Sequence, residues 1–324
     1  MTVNPRTREQ ALADIDAAEV EVTRAVNRAT RRVLARLRVA VRDALEPAPL
    51  VAAATAGAGA GSAADLPALG TVYGWWAEEV DAEVLASVRK AFRSGWAGAS
   101  DGRISSTSLD ASETFIARVR DRLVRGIDPP LPDEAFNLVR TSVAKSAAEG
   151  WSRDRLAARI AAELSWETKG AYWRSELARA DAAIDAILDP LGKPGTAARE
   201  YARANDPVVK SLQAERSRQI LKLDQERTYW QTRASRIART EATAANNYGA
   251  LNALQQEGAP AKKWVASFDK RTRDAHARMN DQIVPIGKPF VMDGYHLQMP
   301  GDPTAPAHLV INCRCSIVGS SLPS

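Results

Sequence analysis

The sequence predicts a mostly helical α+β protein, with helical N-terminal and middle regions followed by a compact C-terminal α+β module. Three observations lead there. Apolar residues recur at helical spacing through most of residues 8–250, and proline- and glycine-rich breaks cut that pattern into segments. Beyond Gly258-Ala259-Pro260 the pattern changes to short β-prone runs between turn residues. With 45% apolar and 26% charged residues, the chain can build a packed core and is not expected to be disordered throughout.

Residues 8–46 read as one long helix, because Val22, Val26, Val33, Leu37, Val41 and Leu45 fall on a single stripe. Pro47 and Pro49 end it, and the Ala/Gly-rich run from Ala52 to Asp65 is a linker by composition. A second helical stretch starts near Thr71 and carries Trp75, Trp76, Val80, Val84, Leu85 and Val88. The run SGWAGASDGRISSTS should break it, with helix resuming over residues 112–125. The proline cluster at 127–132 is the clearest boundary in the first half and separates a helical region, 1–130, from the rest.

Residues 133–148 and 151–164 read as helices, the second with Ser152 as N-cap and with Leu156, Ile160 and Leu164 buried. Helical pattern continues over 167–189 and 196–250, around the breaker at 189–195 and a candidate split at Asp206-Pro207. The β-prone runs that follow are KKWVASF, QIVPI, PFVM, YHLQM and HLVINCRCSIV. Asp269 is placed to N-cap a short helix over KRTRDAHARM, on which Arg273 and His276 share a face.

Composition removes several function classes. No stretch has the length and apolarity of a membrane span, and the N-terminus MTVNPRTREQALADID has no signal-peptide core, so a cytoplasmic origin is expected. The net charge of +5 is mild, compatible with nucleic acid nearby without requiring a binding groove. On the first helix, however, Arg24, Arg28, Arg32 and Arg36 repeat at four-residue steps with no acidic residue between Val22 and Arg42. Like charges at that spacing repel, so the ladder either contacts DNA or an acidic partner or is a solvated face. No aromatic residues interleave it, which argues against base stacking.

The C-terminal third carries the specific signal. In order stand Arg239-Thr240-Glu241, then Trp264 to Asp269 with Arg271-Thr272, then Pro300-Gly301-Asp302-Pro303, then Cys313-Arg314-Cys315. This series resembles the phage Mu F-like head morphogenesis family of minor head proteins, and the helix GWSRDRLAARIAAEL near 150 resembles that family's upstream segment. The resemblance implies a Mu F-like domain over 131–324 with a helical insertion at 167–230. It also implies a portal-associated minor structural protein, inside the capsid near the portal vertex, assisting capsid assembly and DNA packaging or ejection. The implied partners are the portal protein, the major capsid or scaffold protein, and packaged double-stranded DNA. The alternatives are a cytoplasmic DNA-binding assembly factor absent from the mature virion, or a zinc-dependent enzyme or toxin-type effector.

Within the motif, Cys313 and Cys315 lie one residue apart in a β-prone run, so both thiols should project from one face with Arg314 opposite. Two thiols with His276 as a third ligand can hold zinc, and His308, Asp274 or Asp302 can supply a fourth. Some relatives carry a fuller set, a Cys-x-x-Cys pair and an additional His; Arg273, His276 and Val310 stand at those positions here. The other reading is a packed cluster of reduced thiols, with His276 bonded to a carboxylate such as Asp302. Arg239 and Glu241 should hold the C-terminal unit, Pro300-Gly301-Asp302-Pro303 should form a tight turn, and Tyr248 and Trp264 should be core. The His-x-Glu and Cys-x-x-Cys pattern of zinc deaminases is missing, as is a phosphate-binding Gly-x4-Gly-Lys-Ser/Thr loop, so no enzyme class is indicated.

Overall fold

A computed structural model of the protein describes residues 6–45, 67–100, 104–126, 131–165, 171–224, 229–269 and 272–323. It is mostly helical with small C-terminal sheets, the fold class expected. The helices are α1 (Arg8–Leu45), α2 (Leu69–Glu79), α3 (Leu85–Ala99), α4 (Ser106–Asp121), α5 (Leu131–Glu149), α6 (Arg153–Glu163), α7 (Ala171–Leu188), α8 (Ala197–Asn205), α9 (Pro207–Asp224) and α10 (Tyr229–Gln256). π-helical turns at Val80–Val84 and Arg122–Gly126 join α2 to α3 and extend α4. After α10 come β1 (Ala261–Val265), α11 (Asp274–Met279), β2 (Ile283–Pro285), β3 (Phe290–Met292), β4 (Tyr295–Leu297), α12 (Ala307–Val310) and β5 (Ser316–Ser320). The linker at 52–65 lies outside the described residues.

Compactness groups the chain differently from the sequence boundary near 131. One unit comprises residues 1–33, 68–134 and 232–324, and the other 34–67 and 135–231. In the first unit, an antiparallel sheet of order β2-β1-β5 pairs Lys263 with Ile283 and Trp264 with Ile317. A separate hairpin, β3-β4, turns through Asp293 (φ 47°) and Gly294 (φ 83°), the positive-φ pair that a tight hairpin turn needs. The start of α1 closes over the sheet: Ala11 and Leu12 pack with Val265 and Val318. Just ahead of α1, the buried Arg6 guanidinium donates to Asp14 (3.0 Å), to Ser316 Oγ (2.8 Å) and to the Ile317 carbonyl (3.2 Å). Asn247 Oδ1 accepts from the Ile317 amide (3.1 Å), so both main-chain groups of Ile317 are satisfied by side chains.

α3 and α10 cross at backbone contact in this unit. A Cβ on Gly95 would lie 1.9 Å from the Asn246 carbonyl oxygen, and one on Gly249 would lie 2.0 Å from that of Phe92. The small residues Ala242, Ala245, Ala250 and Ala253 keep α10 slim along its buried length. Trp264 is buried, a core side chain as expected, while Tyr248 is half-buried and stacks on Phe115 with ring centroids 4.4 Å apart.

In the second unit, Ser152 Oγ caps α6 by accepting from the Arg155 amide (3.2 Å), and Leu156, Ile160 and Leu164 are buried. Asp206 ends α8 and caps α9, its carboxylate accepting from the Val208 and Val209 amides (2.8 and 3.0 Å). Ile184, Leu188 and Val209 form the apolar contact between α7 and α9, and Arg216 pairs with Asp181 across them (2.6 Å).

Three sequence expectations are corrected. The SGWAGASDGRISSTS run does not break the helix at its start: α3 continues to Ala99, and α4 begins at Ser106, capped by Ser105. Gly95 is there to admit α10, and helix propensity yields to that packing. HLVINCRCSIV is not one strand. It holds a helical turn at Ala307–Val310, a left-handed Asn312 (φ 59°) and a strand that starts only at Ser316. Asp269 does not cap α11, whose N-cap is Arg273 without a side-chain bond; the Asp269 carboxylate instead binds Arg314 (2.8 Å) and Thr272.

Candidate metal centre and the motif residues around it

The structure brings His276, Cys313 and Cys315 together. Nδ1 of His276 lies 3.5 Å from the sulfur of each cysteine, and all three ligand atoms lie within 4.8 Å of one another. The thiols do not share a strand face, since both precede β5. They converge because the chain turns at Asn312 and because α11 packs its buried face, His276 and Met279, inward. Trp264 of β1 meets the imidazole edge-on at 6.0 Å between ring centroids. Hydrogen bonding from Cys313, with a further contribution from His276, holds the Cys315 thiol well below its ordinary pKa. Hydrogen bonding to Cys315 and burial push Cys313 up. The two thiols are thus biased in opposite directions, Cys315 toward the thiolate that a cation would bind.

The donor set fits zinc. With zinc–sulfur bonds of about 2.3 Å and zinc–nitrogen bonds of about 2.0–2.1 Å, tetrahedral geometry places sulfur and nitrogen roughly 3.5 Å apart. That is the separation found here. Among the described residues the cluster holds no fourth His, Cys or carboxylate. Asp302 accepts from the Gln298 and Thr304 amides and from the Thr304 hydroxyl, and His308 packs against Tyr295, so neither joins it. Asp302 does not bond His276 either; Nε2 of His276 is buried without a partner among the described residues. The adjoining cleft, lined by Ser267, Asp269, Thr272, Arg273, Asn312 and Arg314, has a volume of about 10 Å³. That is room for roughly one water, which suits an ion and not an organic substrate.

The remaining motif residues hold this segment in place. Arg239, Thr240 and Glu241 sit in the middle of α10. Arg239 bridges Glu19 (2.7 Å) and Asn312 Oδ1 (3.2 Å), while Thr240 Oγ1 accepts from the Asn312 amide (3.1 Å). Glu241, 1% exposed, is paired with Arg122 from the second π turn. Thr243 Oγ1 donates to the Cys313 carbonyl (2.7 Å), and Asn247 Nδ2 donates to the carbonyls of Cys315 (2.9 Å) and Pro300 (3.1 Å). The Pro300–Pro303 run is the turn expected; Gly301 takes φ 76°, and a Cβ there would lie 3.2 Å from the Ala244 backbone. Arg273 donates to the Ile311 carbonyl (2.7 Å). Arg271 lies outside the described residues.

The arginine ladder is partly spoken for within the molecule. Arg28 pairs with Glu83 (2.8 Å), and Arg32 with Glu79 and Glu83 (3.1 and 2.8 Å). Those carboxylates relieve the like-charge repulsion along α1 without any external anion. Arg24 and Arg36 are exposed.

Sequence reasoning missed Arg6, Asn247 and Lys262. The adjacent polar pair Asn246-Asn247 inside the Ala-rich stretch EATAANNYGA is the one available signal for a buried hydrogen-bonding helix face. Lys262, on the central strand β1, is fully buried with its amine on Gln298 Oε1 (3.1 Å) and over the Phe290 ring (5.5 Å). Burial lowers its pKa from 10.5 to about 8, against the opposing pull of Asp302. Between these values the unfolded chain keeps a proton that the folded protein releases, so stability should rise with pH across that window. Below pH 8 the folded state carries the buried charge at a cost of roughly 3 kcal/mol or less. Lys262→Met is therefore expected to stabilise the protein at pH 7 and to flatten the rise between pH 8 and 10.5. Denaturant melts of parent and variant at matched pH values check this.

No curated protein and no solved structure matches the chain. Residues 192–318 match a family model described as Phage Mu protein F like protein. The match contains all four motif elements and the His276, Cys313 and Cys315 cluster. It begins at 192, so residues 192–230, which the motif resemblance assigned to an insertion, fall inside it, and the helix near 150 falls outside. Over residues 192–318 the C-terminal module of this chain is therefore similar to the Phage Mu protein F like family.

Proposed function

We propose that the protein is a non-enzymatic minor structural component of a tailed-phage head, associated with the portal and assisting capsid assembly and DNA packaging or ejection. The observation that carries this reading is the Mu F-like match over residues 192–318. The site geometry supports it. Arg239, Thr240, Glu241, Asp269 and Asp302 are each engaged in holding the fold, and the one cleft at the thiols admits little more than an ion. In the same reading, His276, Cys313 and Cys315 hold a structural zinc, whose binding adds directly to folding free energy. No described helix is long and apolar enough to cross a membrane. In the cell the protein acts in the host cytoplasm during assembly and then inside the capsid near the portal vertex.

Capture of the tagged portal protein from infected cells tests the partner. The chain is expected to co-purify with portal, and to do so after nuclease treatment. Recovery that depends wholly on DNA would instead favour a DNA-binding assembly factor.

A further inference from the structure

We infer that docking of the N-terminal part of α1 is coupled to metal occupancy of the His276/Cys313/Cys315 cluster through Arg314. This rests on the zinc reading above and adds a regulatory link to it. The ligand-bearing segment from Asn312 to Cys315 belongs to no strand, so no sheet ladder fixes it. From one side it is held by Thr240, Thr243 and Asn247, which sit three and four residues apart on one face of α10 and reach the Asn312 amide and the Cys313 and Cys315 carbonyls. From the other side it is held by α1. Arg314, the residue between the two ligands, spans Asp16 (2.5 Å), Glu19 (3.8 Å) and Asp269 (2.8 Å), and Asp269 lines the thiol cleft. Glu19 also takes Arg239, whose other bond goes to Asn312, the residue preceding Cys313.

Two carboxylates of α1 thus position both neighbours of Cys313. The Arg314–Asp16 pair is the most exposed and weak alone, whereas Glu19 is largely buried, and together the pairs act on geometry. Removing Asp16 and Glu19 leaves Arg314 with Asp269 as its one carboxylate and Arg239 with none but its bond to Asn312, which loosens the ligand segment and adds net positive charge beside a cation site. Both consequences weaken metal binding. Residues that orient ligands in this way commonly change metal affinity by about 10–100-fold. Reciprocity then requires zinc to tighten α1 on the module by the same factor.

The test uses the full chain and zinc itself. Affinity is read by competition with a chromophoric chelator, and α1 docking by amide hydrogen exchange over residues 11–22, for the parent and for Asp16→Asn/Glu19→Gln. The double variant is expected to bind zinc at least tenfold more weakly. Zinc should raise protection of residues 11–22 in the parent and much less in the variant. Glu21→Gln, which removes a pair from α1 to Lys90 of α3 away from the ligand segment, should match the parent. Asp16→Asn alone acts on a side chain 58% exposed, and should show a smaller loss in the same direction if the double variant folds poorly. Uptake of no zinc by the parent removes the metal reading and the coupling together. Zinc bound equally by parent and variants, with exchange over residues 11–22 unchanged by zinc, overturns the coupling and leaves the metal reading standing.

Discussion

Gly249→Ala and Gly95→Ala are each expected to destabilise the protein by about 3 kcal/mol or more, against the intrinsic preference of alanine for helix. At both positions the new methyl group would lie no more than 2.0 Å from a carbonyl oxygen on the opposing helix, where backbone and not a flexible side chain must move. α3 and α10 would have to separate, and α10 carries Thr240, Thr243 and Asn247, which hold the ligand segment. Gly74→Ala supplies the contrast. Gly74 lies within α2, and a methyl group there would meet nothing within 4 Å, so alanine should stabilise by up to about 1 kcal/mol. Chemical denaturation of the three variants checks this. Equal, small effects at all three positions would show that α3 and α10 do not cross at backbone contact.

The second large effect is expected at Arg122. Its guanidinium pairs with both carboxylate oxygens of Glu241, the Nε bond measuring 2.9 Å, and Glu241 is 1% exposed. Arg122→Ala leaves a buried carboxylate without its cation, which should cost about 3–5 kcal/mol. The double change Arg122→Met/Glu241→Leu removes the stranded charge and refills part of the volume, so it should recover a large share of that loss. A double variant no more stable than Arg122→Ala alone would mean that the cost lies in lost arginine packing. The pair also explains Glu241 in the motif: it joins α10 to the π turn at the end of α4, and no chemistry is required of it.

Most helices were legible because their signals are local. The α1 stripe, the Ser152 cap and the split at Asp206-Pro207 depend on neighbours within a few residues, and each stands where expected. Glycine misled because its two roles look alike in sequence: Gly95 reads as a breaker but admits a helix from a distant part of the chain. Cys313 and Cys315 do meet His276, but an irregular turn and not strand alternation aims them. The contacts of Arg6 with Ser316 and Ile317 join the two ends of the chain. Nothing in residues 1–10 signals that, because a buried arginine is recognisable only once its distant acceptors are known. Lys262 was hidden for the opposite reason: on a β-prone run a lysine reads as an outward-facing residue, and here the centre of the sheet covers it.

The central claim, a structural component of the phage head, is tested most directly by quantitative mass spectrometry of purified, DNA-filled heads, with portal protein measured in the same sample. Peptides spanning this chain, including the Mu F-like region 192–318, are expected in constant ratio to portal across gradient fractions. Portal detected in every fraction with this chain absent from all of them would contradict it.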